Sequence, residues 1–308
     1  MAARLRQAAG LSLSISVSGI TCRHGNVQQQ PRFRAAIGIN GRVAIDLPGR
    51  YDRDMDDDAL IALAAGLALQ AGVAILEVRR RGFDVVRKED RSPVTEADHA
   101  AEAIIVAGLR AAAPSIPVIA EEEAAAGRIT EPTEEYWLVD PLDGTREFAA
   151  GNDEFAVNIG LVRGGRPLLG VVGIPAAGEL FGGIVGRGAW KRIGSQQTAV
   201  SARLPPDEGL TVLASRYHGS STRLDDFLRD KRVAKVINFG SSVKFCRLAE
   251  GIADLYPRFG RTMEWDTCAP QAVLEAAGGT VRTFDGETLG YGKPGWENPH
   301  FVCTGRLP

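Results

Sequence analysis

Two aspartates stand three positions apart in the stretch WLVDPLDGT, residues 137–145, directly after an apolar run. A proline and a glycine in this stretch favour a tight turn, so the carboxylates of Asp140 and Asp143 and the carbonyl of Leu142 can converge on one point. Two carboxylates and a carbonyl make a hard oxygen site. Magnesium suits such a site, because it takes few protein carboxylates and keeps waters and phosphate oxygens as further ligands. The stretch therefore suggests metal-assisted phosphate chemistry.

Other carboxylates border apolar runs and could complete such a site. Glu121 follows PVIA, Asp98 closes SPVTEAD, and Asp266 lies in MEWDTCAP. Simpler explanations exist, since a D-x-x-D pair is often only a turn with a helix cap, and Asp266 alone would be an N-cap. Residues 121–123 alone would be a solvated loop, and Asp98 alone a surface residue in the first turn of a helix. Taken one by one, these residues leave both interpretations open.

The composition is that of an ordinary globular protein of 308 residues with a formal net charge of −2. This balance speaks against nucleic acid or an acidic membrane as a broad electrostatic partner and favours a small ligand. The four cysteines form no C-x-x-C pair, so neither a zinc site nor a disulfide framework is indicated, and a reducing cytoplasm fits best. Glycine and arginine interrupt every apolar run, which predicts no membrane-spanning segment.

The first fifty residues differ from the rest, with seven arginines, no lysine and one acid, Asp46. This bias would suit a targeting peptide, but the apolar stretch at 11–17 is a poor signal region and lacks a clear small-residue cleavage site. We expect residues 1–51 to be a flexible, arginine-rich extension.

The remaining chain divides into two predicted domains. Residues 52–205 combine helices at 56–81 and 96–112 with short strands and a meander punctuated by Gly and Pro, which predicts an α+β metal-binding domain. Residues 206–308 alternate strands with helices, which predicts a smaller α/β substrate-binding domain.

Four stretches, in this order and spacing, resemble the inositol monophosphatase superfamily of magnesium-dependent, lithium-sensitive phosphatases: SPVTEAD (92–98), PVIAEEE (117–123), WLVDPLDGTREF (137–148) and EWDTCAP (264–270). The resemblance covers the chain from about residue 54 onward. Within the superfamily, GSSVKFCRLAEG, LYPRFG and YGKPGWENP are most similar to the 3'(2'),5'-bisphosphate nucleotidases of the CysQ type. The likeness implies a layered αβαβα sandwich, the sugar-phosphatase fold.

The resemblance also implies a metal centre. A first magnesium ion would be bound by Glu121, Asp140 and the Leu142 carbonyl. A second would be bound by Asp140, Asp143 and Asp266, so that Asp140 bridges the two. Two such ions can stabilise both the attacking and the leaving oxygen of an in-line displacement.

In the same scheme Thr145 would orient or deprotonate the attacking water while Asp98 holds the threonine hydroxyl, so that no histidine is needed as the base. The backbone N–H groups of Gly144 and Thr145 can point at phosphate oxygens. Relatives hold a third, loosely bound ion near Glu121 and Asp98.

Substrate recognition is assigned to the later segments. Ser242 and Lys244 begin a helix in GSSVKF, and Arg258 lies in LYPRF, so N–H groups and positive charge can meet a second phosphate or the ribose. Asp266 would also border the substrate. Lys244 as a solvated helix lysine and Trp296 as core packing are the structural alternatives to substrate contact.

The stretch after Asp266 departs from the family pattern, because Thr, Cys, Ala and Pro stand where relatives have small residues and a glycine. With a helix expected from Thr267, Pro270 would fall in its first turn, where proline is tolerated. Cys268 beside Asp266 suggests that oxidation affects activity. Lys293, in YGKP, would close or brace the adenosine side of the site.

These features predict a phosphatase that converts 3'-phosphoadenosine 5'-phosphate to AMP and phosphate, in sulfate assimilation. The alternatives within the family are an inositol monophosphatase and a fructose-1,6-bisphosphatase, favoured if Lys244 and Arg258 lie far from the site. The alternative outside it is a metal-binding regulatory protein, which would not need Thr145 and Asp98. We expect a cytoplasmic protein, free or peripheral at the inner membrane, and a homodimer is compatible with the sequence.

Overall fold

The computed structural model describes residues 34–37, 43–46, 55–88, 93–128, 130–216 and 221–306. By its internal contacts the chain divides after residue 52. Before this point the described residues form two short antiparallel strands, β1 (Arg34–Ile37) and β2 (Val43–Asp46). The predicted flexibility of residues 1–51 falls mostly outside the described residues and stays a prediction.

Helices after residue 52 carry clear start and stop signals. Within the described residues they are α1 (Asp57–Arg81), α2 (Glu96–Ala112), α3 (Glu121–Ala125), α4 (Thr145–Ala149), α5 (Ser221–Leu228), α6 (Val243–Ala249) and α7 (Glu264–Ala276). The side chain of Asp56 caps α1 by accepting a hydrogen bond from Ala59 N at 2.8 Å, and Gly82 ends the helix with a φ of 85°. The helices predicted at 56–81 and 96–112 are confirmed.

Strands after residue 52 form a hairpin and two sheets. They are β3 (Val85–Arg87), β4 (Pro93–Thr95), β5 (Val118–Ala120), β6 (Glu135–Asp143), β7 (Ala156–Arg163), β8 (Arg166–Ile174), β9 (Glu179–Ile184), β10 (Gly188–Ile193), β11 (Gln196–Val200), β12 (Leu210–Ser215), β13 (Val233–Phe239), β14 (Leu255–Arg258), β15 (Thr280–Thr283) and β16 (Phe301–Thr304). Strands β3 and β4 make the hairpin. The larger sheet has the order β11-β10-β9-β8-β7-β6-β5, and the smaller has the order β13-β12-β14-β16-β15.

Helices and sheets alternate in layers. Helices α1 and α2 contact the larger sheet, which α7 also contacts, and α6 packs between α7 and the smaller sheet. Helix α5 reaches the smaller sheet through Phe227, whose ring packs against Phe259 and Phe284. This arrangement confirms the predicted αβαβα sandwich.

The α7 helix lies almost directly on the backbone of the larger sheet. A Cβ atom at Gly160 of β7 would stand 2.6 Å from Ala269 N and from Cys268 Sγ, and one at Gly170 of β8 would stand 2.2 Å from Ala269 O. Only glycine leaves room for this approach. The close packing fixes the start of α7, and therefore Asp266, against β6 and β7.

The α1 helix is long and apolar enough to cross a membrane by length and composition. The prediction that Gly and Arg interrupt every apolar run of this length was therefore wrong. The single glycines within α1 do not lower its mean hydropathy below that of a membrane-spanning helix. Its apolar residues are explained by packing, since Leu60, Leu67 and Ile75 are almost completely buried and the helix contacts β7, β8 and β9.

The predicted domain boundary near residue 205 falls between the two sheets, after β11 and before β12. One core cluster includes Phe181 of β9, Phe245 of α6 and Phe301 of β16, and so draws on both sheets. A division into two separate domains stays a prediction.

Candidate active site

One cavity of about 1090 Å³ opens where β6 ends and α7 begins. Its lining includes most of the site residues predicted from the sequence: Glu121, Asp140, Leu142, Asp143, Gly144, Thr145, Ser242, Lys244, Arg258 and Asp266. Asp98 reaches the cavity through Thr145, which its carboxylate contacts. The structure therefore brings together all of the predicted site residues.

A β-bulge explains how Asp140 and Asp143 come to share the cavity. In a regular strand, residues three positions apart face opposite sides of the sheet. Here Asp140 pairs with Asn158 and Asp143 with Ala156, so β6 carries one extra residue between them. The extra residue turns the second carboxylate toward the side of the first. The prediction of a turn directly after WLV was therefore wrong: the strand continues to Asp143, and the turn begins at Gly144.

Gly144 makes the sharp turn that follows β6. Its φ is 92°, which favours glycine, and a Cβ atom there would stand 3.0 Å from Glu154 O and 3.1 Å from Ser241 Cβ. A larger residue would push the turn away from the loop before α6. The turn thereby places Thr145 at the start of α4, facing Asp98.

Asp98 and Thr145 form a hydrogen-bonded pair. The Thr145 hydroxyl lies 3.0 Å from Asp98 Oδ1 and 3.0 Å from the Leu142 carbonyl oxygen, so its single proton has two acceptors. Thr95 fixes the other oxygen of Asp98 through its N–H and its hydroxyl, both at 2.7 Å. These contacts belong to the capping box of α2. Asp98 is therefore held in one orientation, with one oxygen left for Thr145.

Asp266 is held by the first turn of α7. Its Oδ2 accepts a hydrogen bond from Met263 N at 2.9 Å. The helix begins at Glu264, three residues earlier than predicted, so Pro270 lies in the second turn and not in the first. A proline there cannot donate to the carbonyl of Asp266. The carbonyl of Asp266 therefore receives no α-helical hydrogen bond from position 270.

The carboxylates on the acidic side of the cavity are buried and repel one another. Burial, reinforced by the charge of neighbouring carboxylates, raises the pKa of Asp140 and of Asp266 well above the usual value. Burial also raises the pKa of Asp143, against the lowering effects of Lys244 and of the Ser242 N–H. Such repulsion between unpaired carboxylates is typical of sites that receive a cation.

The donor set fits magnesium in chemistry. Carboxylates and a carbonyl offer only oxygen, and the raised pKa values show where positive charge would be stabilising. Asp140 Oδ1 already accepts the N–H of Leu142 at 3.0 Å, which fixes its orientation. As the side chains stand, no three acids, histidines or cysteines of the described residues are arranged to share one ion. Glu121, one of the predicted ligands, contacts a cation of the chain itself.

That cation is Lys88, which no sequence signal marks, because it stands in the mixed-charge run RKEDR. Its Nζ lies 2.7 Å from Glu121 Oε1 and 2.6 Å from Glu122 Oε1. Burial alone would lower the pKa of Lys88, but the two glutamates outweigh it and raise that pKa. Lys88 also lines the cavity.

Lys244 lies inside the protein, so the alternative of a solvated helix lysine was wrong. Its side chain is 2% exposed, and its Nζ donates to the carbonyl oxygens of Phe239 at 3.1 Å and Ser241 at 2.5 Å. Burial, with the nearby charge of Arg258, lowers the pKa of Lys244 to about 8. Ser241 carries a positive φ of 46°, so Lys244 braces a strained turn at the cavity.

Ser242 and Arg258 complete this side of the cavity. The Ser242 hydroxyl donates to Asn158 Oδ1 at 2.9 Å, and its N–H donates to Asp143, so Ser242 orients a predicted metal ligand. Arg258 donates to Ser215 Oγ at 2.9 Å and to the Arg261 carbonyl at 2.8 Å, while its buried Nε has no partner among the described residues. An unpaired buried donor suits an anionic ligand.

Three further predicted residues have clear surroundings. Lys293 pairs with the buried Glu264 at 2.7 Å. Trp296 lines the cavity and packs edge-on against Tyr136, so the packing alternative is confirmed and contact with substrate stays a prediction. Cys268 is fully buried and its thiol pKa is raised well above the usual value by burial. Both features suppress thiolate formation and access, and they speak against the expected oxidation sensitivity at Cys268, which stays a prediction.

Comparisons with known proteins agree with this geometry. The chain matches the family model described as "Inositol monophosphatase family" over residues 56–305. It is 42% identical over 243 residues to the 3'(2'),5'-bisphosphate nucleotidase CysQ of Salmonella typhimurium, which covers 77% of this chain and 96% of that protein. It is 43% identical over 229 residues to the protein of the same name from Escherichia coli K12, covering 73% of this chain and 91% of that protein.

Solved structures share the fold. The crystal structure of CysQ from Bacteroides thetaiotaomicron, described as a bacterial member of the inositol monophosphatase family, superposes with a TM-score of 0.71 at 33% sequence identity. The match covers 83% of this chain and 100% of that chain. An inositol monophosphatase of Anabaena gives a TM-score of 0.64 at 25% identity and covers 81% of this chain and 91% of that chain.

Proposed function

The chain belongs to the inositol monophosphatase family, and we propose that it is a magnesium-dependent phosphatase that hydrolyses 3'-phosphoadenosine 5'-phosphate to AMP and phosphate. The observation that carries this proposal is the cavity itself, where the Asp98–Thr145 pair meets a group of repelling carboxylates. Relatives named 3'(2'),5'-bisphosphate nucleotidase, at 42–44% identity over most of the chain, support the choice of substrate.

The acidic residues would hold two magnesium ions. Glu121, Asp140 and the Leu142 carbonyl would bind the first, and Asp140, Asp143 and Asp266 the second, with a third ion near Glu121 and Asp98 as a further proposal. When bound, magnesium supplies charge neutralisation at the phosphate and lowers the pKa of a coordinated water.

The Thr145 hydroxyl would orient the attacking water. When its proton is donated to Asp98, lone pairs of the Thr145 oxygen remain to accept a hydrogen bond from water. Asp98 Oδ1 is available for this hydrogen bond, because Thr95 donates to the other carboxylate oxygen, Oδ2. The pair thereby acts as an acceptor relay in which no histidine takes part.

Arg258 and the turn braced by Lys244 would receive the second phosphate. Arg258 keeps a free buried donor, and Lys244 keeps positive charge close by. An inositol monophosphate has no second phosphate for these groups. Removal of 3'-phosphoadenosine 5'-phosphate would place the enzyme in sulfate assimilation. A cytoplasmic location, peripheral binding at the inner membrane, the absence of nucleic acid as a partner, and a homodimer stay predictions.

The test is a steady-state comparison of 3'-phosphoadenosine 5'-phosphate, inositol 1-phosphate and fructose 1,6-bisphosphate with magnesium and with EDTA. We expect kcat/KM for the nucleotide to exceed that for inositol 1-phosphate at least tenfold, as about 1.5–3 kcal/mol for a charge-assisted hydrogen bond to the second phosphate predicts. EDTA should abolish turnover. A preference for inositol phosphate or for the sugar bisphosphate would overturn the substrate. Cation binding without any turnover would favour a regulatory protein.

A further inference from the structure

A short segment near the end of the chain, residues 290–298 and here called the strap, forms part of the cavity wall. Gly295 and Trp296 of the strap line the cavity. Trp296 is half-buried, and its ring packs edge-on against that of Tyr136 with 6.2 Å between the ring centroids. The strap therefore brings an aromatic ring that is partly accessible to the cavity.

The backbone of the strap has an unusual conformation at this ring. Trp296 has a φ of 60°, and the two glycines before it, Gly292 and Gly295, have φ values of 87° and 75°. A bulky residue rarely adopts a positive φ, and such a conformation persists only where the surrounding contacts hold it. The strap therefore needs firm anchors on both sides of Trp296.

Glu264, in the first turn of α7, is the anchor before Trp296. Its side chain is completely buried. Its Oε2 accepts the N–H of Gly292 at 2.8 Å, and its Oε1 accepts the N–H of Lys293 at 2.8 Å and the Lys293 ammonium group at 2.7 Å. A buried carboxylate is stable only when its charge and its lone pairs find partners. The three donors that satisfy Glu264 all belong to the strap.

Asn298 is the anchor after Trp296. Its N–H donates to the Thr262 carbonyl at 2.9 Å, and its side-chain amide donates to the Met263 carbonyl at 2.7 Å and to the Thr267 hydroxyl at 3.0 Å. Neither anchor is among the residues that line the cavity. Both therefore act on the cavity only through the segments that they join.

We propose that Glu264 is a positioning residue that sets specificity for a nucleoside, because it holds the strap where Trp296 can stack on the base of the substrate. The inference rests on the proposed function, which makes the substrate a nucleotide. Aromatic side chains stack on the flat face that every base offers, and an inositol or sugar phosphate has no such face. The strap would thus select the nucleotide independently of its second phosphate.

The experiment compares 3'-phosphoadenosine 5'-phosphate with ribose 3,5-bisphosphate, which has both phosphates and no base. Glu264→Gln leaves one acceptor oxygen for the strap donors and removes the partner charge of Lys293. For the nucleotide we expect KM to rise roughly tenfold, as partial loss of base stacking predicts. Its kcat, and both constants for the base-free analogue, should stay within about twofold of wild type, because the base contact is already made in the ground state. An equal loss on both substrates would overturn the proposal.

Trp296→Leu tests the ring itself and leaves the buried carboxylate and its hydrogen bonds in place, so it also serves if Glu264→Gln does not fold. KM for the nucleotide should rise roughly 5–100-fold, the range for loss of one stacked base, with the base-free analogue unaffected. The double variant should lose little more than Trp296→Leu alone, because both changes remove the same contact. Fully additive losses would overturn the positioning role of Glu264.

Glu179 provides a matched control for the loss of a buried carboxylate. It accepts from Lys191 at 2.6 Å and from Arg247 at 2.7 Å, and its side chain is 14% exposed, but it lies outside the cavity lining. Glu179→Gln should lower the melting temperature and leave KM for both substrates unchanged. A selective rise in KM for the nucleotide in this control would overturn the specific role of Glu264.

The same measurements separate this inference from the proposed function. A wild-type protein that does not hydrolyse the nucleotide, or that prefers inositol 1-phosphate, would overturn the proposed function and the inference that rests on it. Normal hydrolysis by wild type, with KM for the nucleotide unchanged in both Glu264→Gln and Trp296→Leu, would overturn the inference alone.

Discussion

The acidic and the basic walls of the cavity differ in how their buried charges are stabilised. The acidic wall, formed by Glu121, Asp140, Asp143 and Asp266, is held by backbone devices, namely the bulge in β6 and the first turn of α7. Its charges repel one another, and their pKa values rise. A rigid backbone here keeps like charges together, so the balancing charge must come from elsewhere.

The basic wall, formed by Lys244 and Arg258, is largely satisfied from within. Lys244 donates to two backbone carbonyls, and Arg258 donates to a serine hydroxyl and a carbonyl. The buried Nε of Arg258 has no hydrogen-bond partner among the described residues. Under the proposed function, the acidic wall would depend on an added cation, whereas the basic wall is already organised to receive an anion.

The largest expected effect concerns the catalytic pair beside the acidic wall. Thr145→Val keeps the shape of the side chain and removes its hydroxyl, so the orienting acceptor for water is lost. We expect kcat for 3'-phosphoadenosine 5'-phosphate to fall about 10²–10⁴-fold, the range for loss of a positioned acid–base group. Thr145→Ser, which retains the hydroxyl, should keep most of the activity. A kcat for Thr145→Val within about threefold of wild type would remove Thr145 from the mechanism.

A smaller effect is expected at the basic wall. Arg258→Gln removes the charge and the open donor, so KM for the bisphosphate nucleotide should rise about 10–100-fold, as 1.5–3 kcal/mol for a charge-assisted bond implies. 4-Nitrophenyl phosphate has no second phosphate, and its kinetics should change little. Measuring both substrates with the same variant sharpens the comparison. An equal loss on both would place Arg258 with the general scaffold and not with the second phosphate.

The smallest effect is a pH dependence behind the acidic wall. Burial raises the pKa values of Glu102 and Glu122 to about 7. Between about pH 4.5 and pH 7 the folded state therefore binds more protons than the unfolded state, so stability falls as pH rises through this window. For one such carboxyl the loss is of order 2–3 kcal/mol, or several degrees in melting temperature. Calorimetry in EDTA from pH 5 to pH 8 measures it.

Glu102→Gln is the matched variant for this pH dependence. Its amide oxygen can still accept the Glu122 N–H, which Glu102 accepts at 2.7 Å, but it does not titrate. The variant should show a flatter decline with pH than wild type. An identical slope would mean that Glu102 does not carry the buried proton.

Much of the site was predictable because its residues sit at the ends of apolar runs. Glu121 follows β5, and Asp140 and Asp143 lie at the end of the neighbouring strand β6. Asp98 and Asp266 lie in the first turns of helices, so the types and positions of these residues indicate the chemistry. What the sequence could not reveal were contacts across long separations. The Lys88–Glu121 pair spans 33 positions, and the Ser242–Asn158 bond spans 84.

The fold was predictable to a similar degree, and its exceptions have local causes. The start of α7 was misplaced because Met263 is not a usual capping residue, and the cap comes from Asp266 within the helix. Strand β11 was not predicted because its QQTAV sequence is mostly exposed and does not alternate. Strand β16 was overlooked because only four residues form it at the chain's end, and its pairing with β14 and β15 is decided in three dimensions.

The most direct test of the charge imbalance is the melting temperature of Asp140→Asn with and without Mg²⁺. Asparagine can still accept the Leu142 N–H, while one repelling carboxylate disappears. In EDTA the variant should therefore melt at or above the wild-type temperature, and Mg²⁺ should raise the melting temperature of wild type only. Turnover should vanish in the variant. A variant that melts lower in EDTA, gains as much from Mg²⁺ as wild type and retains near-normal activity would contradict the account.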